Sequence, residues 1–491
     1  MLNNLTRAFK NSMIYAIGNI SRKAIAFLLL PLYVKHLSIS DYGILGILEV
    51  SSQAFIAIFG LGLYMALNRW YWDEQHKLKQ KEIVFSVSVF LVGTSILAFI
   101  GFLPIANSFS NLVFSTGDYT YILKLVFLVS LLEIIAQIFF SVMRLEEKSI
   151  LFSTTNVVRL IVTLLITVYL IVFKDRGIAG IYEAQLIGLV LYFLMIARFI
   201  FAHIAFRFQW SILQEMLHYS LPLILSSISG IFLTLTDRYV LNFMSNLDQV
   251  AIYNLAAKLS YVIMVFVVTP IRMSLTPIVY KMVDQPGCKR FYSKILTYFS
   301  FVILICVMFM SFFGKEIIIF FTGSNTEYWH AAELVPIIAL IIFMGMMKDT
   351  VSLGINIVKK TKTISIVMFF AAIFNIGANI VLVPYLEATG AAVATLVSQI
   401  LLFVLIYHFA QKYYKIPYEI PKILKMIITS IVLYIATLYV PIASQSMFIL
   451  FKLVLILSFP FILYFWKFYE EIELFTIKTK LMNIKETFVR K

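Results

Sequence analysis

Charge is scarce in this sequence: Asp, Glu, Lys and Arg make up 13% of its 491 residues, about half the share usual in a soluble domain. Hydrophobic residues fill 61% of positions, more than a water-soluble globule can keep from solvent, which excludes that class. Cysteine is nearly absent, and Cys288 and Cys306 have no metal-ligand or disulfide spacing, so both read as inert thiols. The six histidines, His36, His76, His203, His218, His330 and His408, lie scattered near the ends of apolar runs, as solvated or interfacial residues do. No paired-carboxylate loop, metal cluster or Gly-rich phosphate loop is present, which argues against an enzyme acting on lipid or sugar. Neither a metal nor a cofactor is expected.

What the sequence does have is apolar runs of about twenty residues, the length that crosses about 30 Å of hydrocarbon as a helix. They predict an all-α integral membrane protein of about fourteen transmembrane helices. The predicted spans are 12–34, 42–66, 83–103, 119–143, 150–172, 178–201, 219–243, 250–280, 295–321, 333–357, 363–383, 388–409, 423–440 and 446–466. Gly314 is expected to break the ninth. Arg7 and Lys10 lead into a long first helix rather than a short cleavable segment.

The net charge of +15 alternates from loop to loop instead of forming a nucleic-acid surface. Placing the N-terminus inside gives the cytoplasmic segments roughly 27 Lys and Arg and the opposite loops about four, so both termini are expected inside. The same basic loops attract anionic membrane lipid. Lys467 to Lys491 reads as a short solvated or interfacial helix.

Offset by about 208 residues, the chain resembles itself. Asp41-Tyr42-Gly43-Ile44 falls on Gln249-Val250-Ala251-Ile252, and Gly177-Ile178-Ala179-Gly180 on Gly390-Ala391-Ala392-Val393 at nearly that offset. Two pseudo-symmetric six-helix lobes, 1–210 and 211–415, are expected, followed by two C-terminal helices and a tail in 416–491. A repeat of six helices keeps one orientation, which puts a cavity between the lobes.

A Lys or Arg near the bilayer centre costs about 2.5–3.5 kcal/mol on insertion scales, so those inside spans must face protein or water. They are Arg22 and Lys23 in the first span, Arg159 in the fifth, Arg238 in the seventh, Lys258 and Arg272 in the eighth and Lys348 in the tenth. Lys124 and Lys452 sit near span ends and are expected to snorkel. At helical spacing, Asn254, Lys258, Tyr261, Arg272 and Thr276 share one face about 60° wide. The seventh span carries Ser226, Gly230, Thr234 and Asp237, and the tenth Gly345, Asp349, Ser352 and Asn356, in the same manner. Such stripes can be hidden together only around a water-filled, net cationic cavity suited to an anionic head group. Glu49, Glu133, Asp237 and Asp349 either pair with neighbours such as Arg238 and Lys348, fixing the packing, or titrate with an ion that drives transport. Pro31, Pro222, Pro270 and Pro277 kink their helices. Asn375, Asn379, Ser398 and Gln399 line a pore or join two helices.

Several motifs carry a family resemblance over essentially the whole chain: Phe27-Leu-Leu-Leu-Pro31-Leu-Tyr33, Ser40-Asp41-Tyr42-Gly43, Thr236-Asp237-Arg238-Tyr239-Val240-Leu241, Ile252-Tyr253-Asn254-Leu255-Ala256 and Gly390-Ala-Ala-Val-Ala-Thr395. With them the chain resembles the O-antigen or capsule repeat-unit flippases of the multidrug, oligosaccharidyl-lipid and polysaccharide exporter superfamily. The resemblance implies a V-shaped pair of lobes in the bacterial inner membrane. These would move an undecaprenyl-diphosphate-linked oligosaccharide outward by alternating access, beside a polysaccharide polymerase and chain-length machinery. It also implies that Arg22, Lys23, Arg69 and Arg272 line the cavity. A drug or cation antiporter of the same superfamily, with a more acidic cavity, is the leading alternative; a membrane acyl- or glycosyltransferase is another.

Overall fold

The structure, a computed structural model, describes residues 27–74, 76–283, 285–440, 444–471 and 475. Arg22 and Lys23, most of the first predicted span and most of the C-terminal tail therefore lie outside the described residues, as do the side chains of Ser226, Thr234, Thr276, Pro222 and Pro277.

The described chain is helical throughout: α1 (Leu30–His36), α2 (Ile39–Phe59), α3 (Leu63–Trp70), α4 (Gln80–Phe114), α5 (Thr120–Leu145), α6 (Ser149–Val172), α7 (Gly177–His203) and α8 (Trp210–Met244), then α9 (Leu247–Ile263), α10 (Thr269–Lys281), α11 (Cys288–Thr322), α12 (Ala331–Ile357), α13 (Thr361–Tyr413), α14 (Ile420–Tyr439) and α15 (Gln445–Phe465). Among the described residues, eleven helical stretches are long and apolar enough to cross a membrane. The predicted spans from the second to the fourteenth fall on the helices named above, the second divided between α2 and α3 and the eighth running from α9 through a π turn into α10. The eleventh and twelfth are the two limbs of α13, which reverses at Glu387 (φ 48°, ψ −128°). Asn375 and Thr395 would lie about 30 Å apart along a straight helix, yet their side chains meet at 2.9 Å. At the turn a Cβ on Gly390 would sit 2.5 Å from the Leu382 carbonyl oxygen, so only glycine fits there.

Three features depart from the hydropathy reading. α11 runs unbroken through Gly314, whose missing Cβ instead lets Val335 of α12 approach, 3.3 Å from where that Cβ would be. α4 continues past its apolar run to Phe114 because the polar residues at its end find partners, Ser110 donating to the Thr116 carbonyl and Thr120 to Asn107. Lys452 does not snorkel: its ammonium bonds Glu316 at 2.6 Å and docks α15 on α11.

The sequence repeat has a structural counterpart. α2 and α9 begin 208 residues apart, each capped by a polar side chain, Ser38 accepting from the Asp41 amide and Asn246 from that of Gln249. Each is then interrupted, α2 at Gly60 to Gly62 and α9 by a π turn, Met264–Val268, ahead of Pro270. Proline has no N–H to donate, and just before it the Thr269 backbone N–H and hydroxyl both bond the Met264 carbonyl, the hydroxyl at 2.7 Å.

α2 and α9 pack directly on each other. Ser40 donates to Asp248 at 2.6 Å across 208 residues of sequence. A Cβ on Gly43 would collide with the Leu247 carbonyl oxygen, and one on Gly46 would lie 2.8 Å from Asn254. Glycine at these two positions is what lets the backbones close. The loops poor in Lys and Arg gather at this end, where Tyr42 meets Tyr328 edge-on and Asn242 donates to the Val113 carbonyl.

The basic loops gather at the other end. Tyr71 and His203 both bond the Glu146 carboxylate, at 2.5 and 2.6 Å, tying together the chain after α3, α5 and α7. His203 is thus held, not simply solvated. Lys294 bonds both Glu419 and Glu470, clamping the C-terminal helix pair to α11. Chiefly through the Lys294 hydrogen bond, the Glu470 carboxyl is held down to about 2, so it stays ionised near neutral pH.

Candidate functional site

Three separate groups of charged residues within the spans draw together several helices. The first lies on the α2–α9 seam. Glu49 is nearly three turns into α2, and Lys258 reaches it at 2.8 Å, with side-chain exposures of 29% and 13%. The Lys258 ammonium also lies 5.1 Å from the centre of the Tyr42 ring and 5.9 Å from that of Tyr33.

The second group is buried among α8, α9 and the α13 hairpin. Asp237 is almost fully buried and accepts from Tyr253, from Thr395 at 2.7 Å and from Asn379 at 3.1 Å. Asn375 donates to Thr395, which extends the chain of bonds. Among the described residues, neither the Asn375 nor the Asn379 amide oxygen receives a hydrogen bond, although both side chains are fully buried. The Arg238 guanidinium lies over the Tyr253 ring, 5.0 Å from its centre. The α13 reversal is what brings Asn375, Asn379 and Thr395 to one carboxylate. These amides therefore join helices and also leave two buried acceptors beside an anion.

The third group faces a cavity of about 250 Å³ among α10, α11 and α12. Arg272 bonds Asp349 at 2.9 Å, and Lys348 bonds the other oxygen of the same carboxylate. The Arg272 side chain is 47% exposed. Asp349, Ser352 and Asn356 line the cavity from α12, three of the four residues of the stripe read on the tenth span. Val268, Leu275 and Phe299 form apolar parts of the wall.

The single stripe expected along the eighth span is split. The π turn adds a residue to its turn, which rotates the following face by about 100°. Asn254 and Lys258 consequently face α2, while Arg272 faces α12.

Arg159 pairs with Glu133 between α5 and α6, away from the other groups. Arg69 ends α3 with its guanidinium 4.7 Å from the centre of the Tyr219 ring on α8. Of the six described cations of the expected set, Arg159, Lys258, Arg272 and Lys348 pair with Glu133, Glu49 and Asp349, while Arg69 and Arg238 lie against aromatic rings. Tyr253 and Thr395 appear in the sequence only within family motifs, and hydropathy gives no sign that they close on Asp237.

The family described as polysaccharide biosynthesis protein matches residues 8–283. No curated protein matches the chain. Among solved structures, the lipid II flippase MurJ in an inward closed conformation is 16% identical, with a TM-score of 0.75 over 92% of this chain and 99% of that one. An inward-facing multidrug resistance MATE transporter of the MOP superfamily is 14% identical, with a TM-score of 0.66 over 79% of this chain and 94% of that one. The MATE multidrug transporter DinF-BH is 16% identical, with a TM-score of 0.63 over 83% of this chain and 95% of that one. At these identities the likeness is one of fold, and it is the fold of membrane transporters.

Proposed function

The chain belongs to the polysaccharide biosynthesis protein family, and from that membership we propose that it is a flippase. Its cargo would be an undecaprenyl-diphosphate-linked oligosaccharide, moved from the cytoplasmic to the outer leaflet of a bacterial inner membrane for O-antigen or capsule assembly. The observation that carries this reading is the cavity at Arg272, where a half-exposed guanidinium paired with Asp349 shares the lining with the hydroxyl and amide side chains of Thr350, Ser352 and Asn356. A diphosphate crossing low dielectric needs compensating cations, sugars need hydrogen-bond partners, and the lipid tail can stay in the bilayer. No bond is made or broken, so no catalytic group is required.

In this reading the lobes are 1–210 and 211–415, with 416–491 as an appendage. A two-fold axis exchanging residues 208 apart maps the Ser40–Asp248 bond onto itself, which supports an axis at the α2–α9 seam. The substrate cations are Arg272 first, with Arg22, Lys23, Arg69, Arg159, Arg238, Lys258 and Lys348 contributing field. Asp237 is the best supported of the four acids as the ion-coupling group, because it is almost fully buried and the Asn379 amide that bonds it, like that of Asn375 on Thr395, carries an oxygen that receives no hydrogen bond among the described residues. Glu49, Glu133 and Asp349 are neutralised by Lys or Arg. Polymerase and chain-length proteins would receive the product.

Replacing Arg22 and Arg272 by alanine together is expected to reduce surface glycan by tenfold or more, the order expected when about 1.4 kcal/mol or more of binding is lost. Protein abundance in the membrane should stay near wild type. Quantifying surface glycan against membrane-inserted protein checks this, and undiminished display would overturn the assignment. A drug or cation antiporter would leave glycan display untouched and change drug tolerance instead.

A further inference from the structure

Arg272 is not waiting empty for its substrate: one oxygen of Asp349 sits on it at 2.9 Å, and Lys348 holds the other oxygen. We propose that Asp349 is a resident counter-anion, which occupies Arg272 in the empty carrier, yields it to the diphosphate on loading and reclaims it to drive release. This rests on the reading of the chain as a diphosphate-lipid flippase and adds a residue that sets its affinity and turnover.

Both the geometry and the chemistry of the pair support the exchange. Arg272 and Asp349 both line the same cavity, so an incoming phosphate meets the pair from its open side. A diphosphate offers more negative charge than a carboxylate and can engage a guanidinium through two oxygens, so it competes well for this site. Lys348 remains on Asp349 when Arg272 leaves, which avoids stranding a carboxylate inside the bundle, the step that would otherwise make the exchange costly. Its side chain is 16% exposed, so it is shielded and poorly placed to take the phosphate itself. The π turn and Pro270 separate α10 from α9, and α10 is fastened to α11 by Tyr292 donating to the Val279 carbonyl. Arg272 therefore lies beyond the π turn, on a segment braced against α11.

A site that is mostly self-occupied binds its ligand more weakly in proportion to the competent fraction, so nine-tenths occupancy by Asp349 lowers apparent affinity about tenfold. Removing the competitor should tighten binding and slow release together.

The test uses the full-length purified protein and inorganic pyrophosphate as a soluble probe of the site, together with transport of the lipid-linked substrate. Asp349→Asn is expected to bind pyrophosphate about tenfold more tightly than wild type. Its transport should show a lower KM and a lower maximal rate. Asp349→Glu should return both towards wild type. Lys348→Gln should move the other way, weakening pyrophosphate binding, because Asp349 then rests on Arg272 alone. A purely structural role for Asp349 predicts weaker binding and raised KM in Asp349→Asn, and that result, or no change, overturns the proposal. If neither wild type nor Asp349→Asn binds pyrophosphate, the exchange is also overturned. The glycan-display experiment with Arg22 and Arg272 judges the flippase reading separately.

Discussion

Asp237→Asn is expected to leave the protein folded and in the membrane while cutting ion-gradient-driven transport roughly tenfold or more, the range opened by a coupling free energy of about 1–3 kcal/mol. Asparagine keeps the volume and can still accept from Thr395 or Tyr253, so the hydrogen-bonded core of α8, α9 and α13 survives. What goes is the charge on which Tyr253, Thr395 and Asn379 converge. Asp237→Ala should be worse in a different way. It strands the Tyr253, Thr395 and Asn379 donors, each buried unsatisfied donor costing about 1–3 kcal/mol, and protein abundance should fall as well. Measuring uptake rates in vesicles with imposed sodium or proton gradients, normalised to folded protein, separates the two. Full gradient dependence in Asp237→Asn would remove Asp237 from the coupling step.

Lys258→Met should destabilise the protein by about 3 kcal/mol, the lower part of the range for stranding one member of a buried ion pair, since Glu49 keeps some exposure. Methionine retains packing against Tyr33 and Tyr42 but supplies no partner for the carboxylate. Adding Glu49→Met should recover most of the loss, because two apolar side chains can replace a buried pair at little cost. Thermal unfolding of the two single variants, the double variant and wild type in the same detergent measures the coupling. A double variant no more stable than Lys258→Met would mean that Glu49 and Lys258 act independently.

Hydropathy made most of the helical order legible because the bilayer imposes a length on every span, and α5, α6, α7 and α12 lie close to where the apolar runs put them. It failed where the cause was not composition. The π turn at Met264–Val268 is all apolar, so nothing in those residues announced the extra residue that splits the eighth-span stripe. The extension of α4 depends on partners such as Thr116 and Thr120 that lie beyond the helix itself. For the site, a charge inside an apolar run is conspicuous, which is why Glu49, Glu133, Asp237 and Asp349 stood out. Their partners were only partly legible. Lys348 adjoins Asp349 in sequence, but Lys258 reaches Glu49 from 209 residues away and Arg272 reaches Asp349 from 77 away. Long-range pairing is set by the crossing of helices, and one sequence carries no record of it.

The central claim is tested most directly by reconstituting the purified protein in liposomes and following a labelled undecaprenyl-diphosphate oligosaccharide across the bilayer, with wild type beside Arg272→Ala. The account predicts translocation by wild type and a loss of tenfold or more in the variant, corresponding to about 1.4 kcal/mol or more. Equal translocation by both would contradict the role given to Arg272. No translocation by folded wild type, with several glycans and with imposed ion gradients, would contradict the flippase itself.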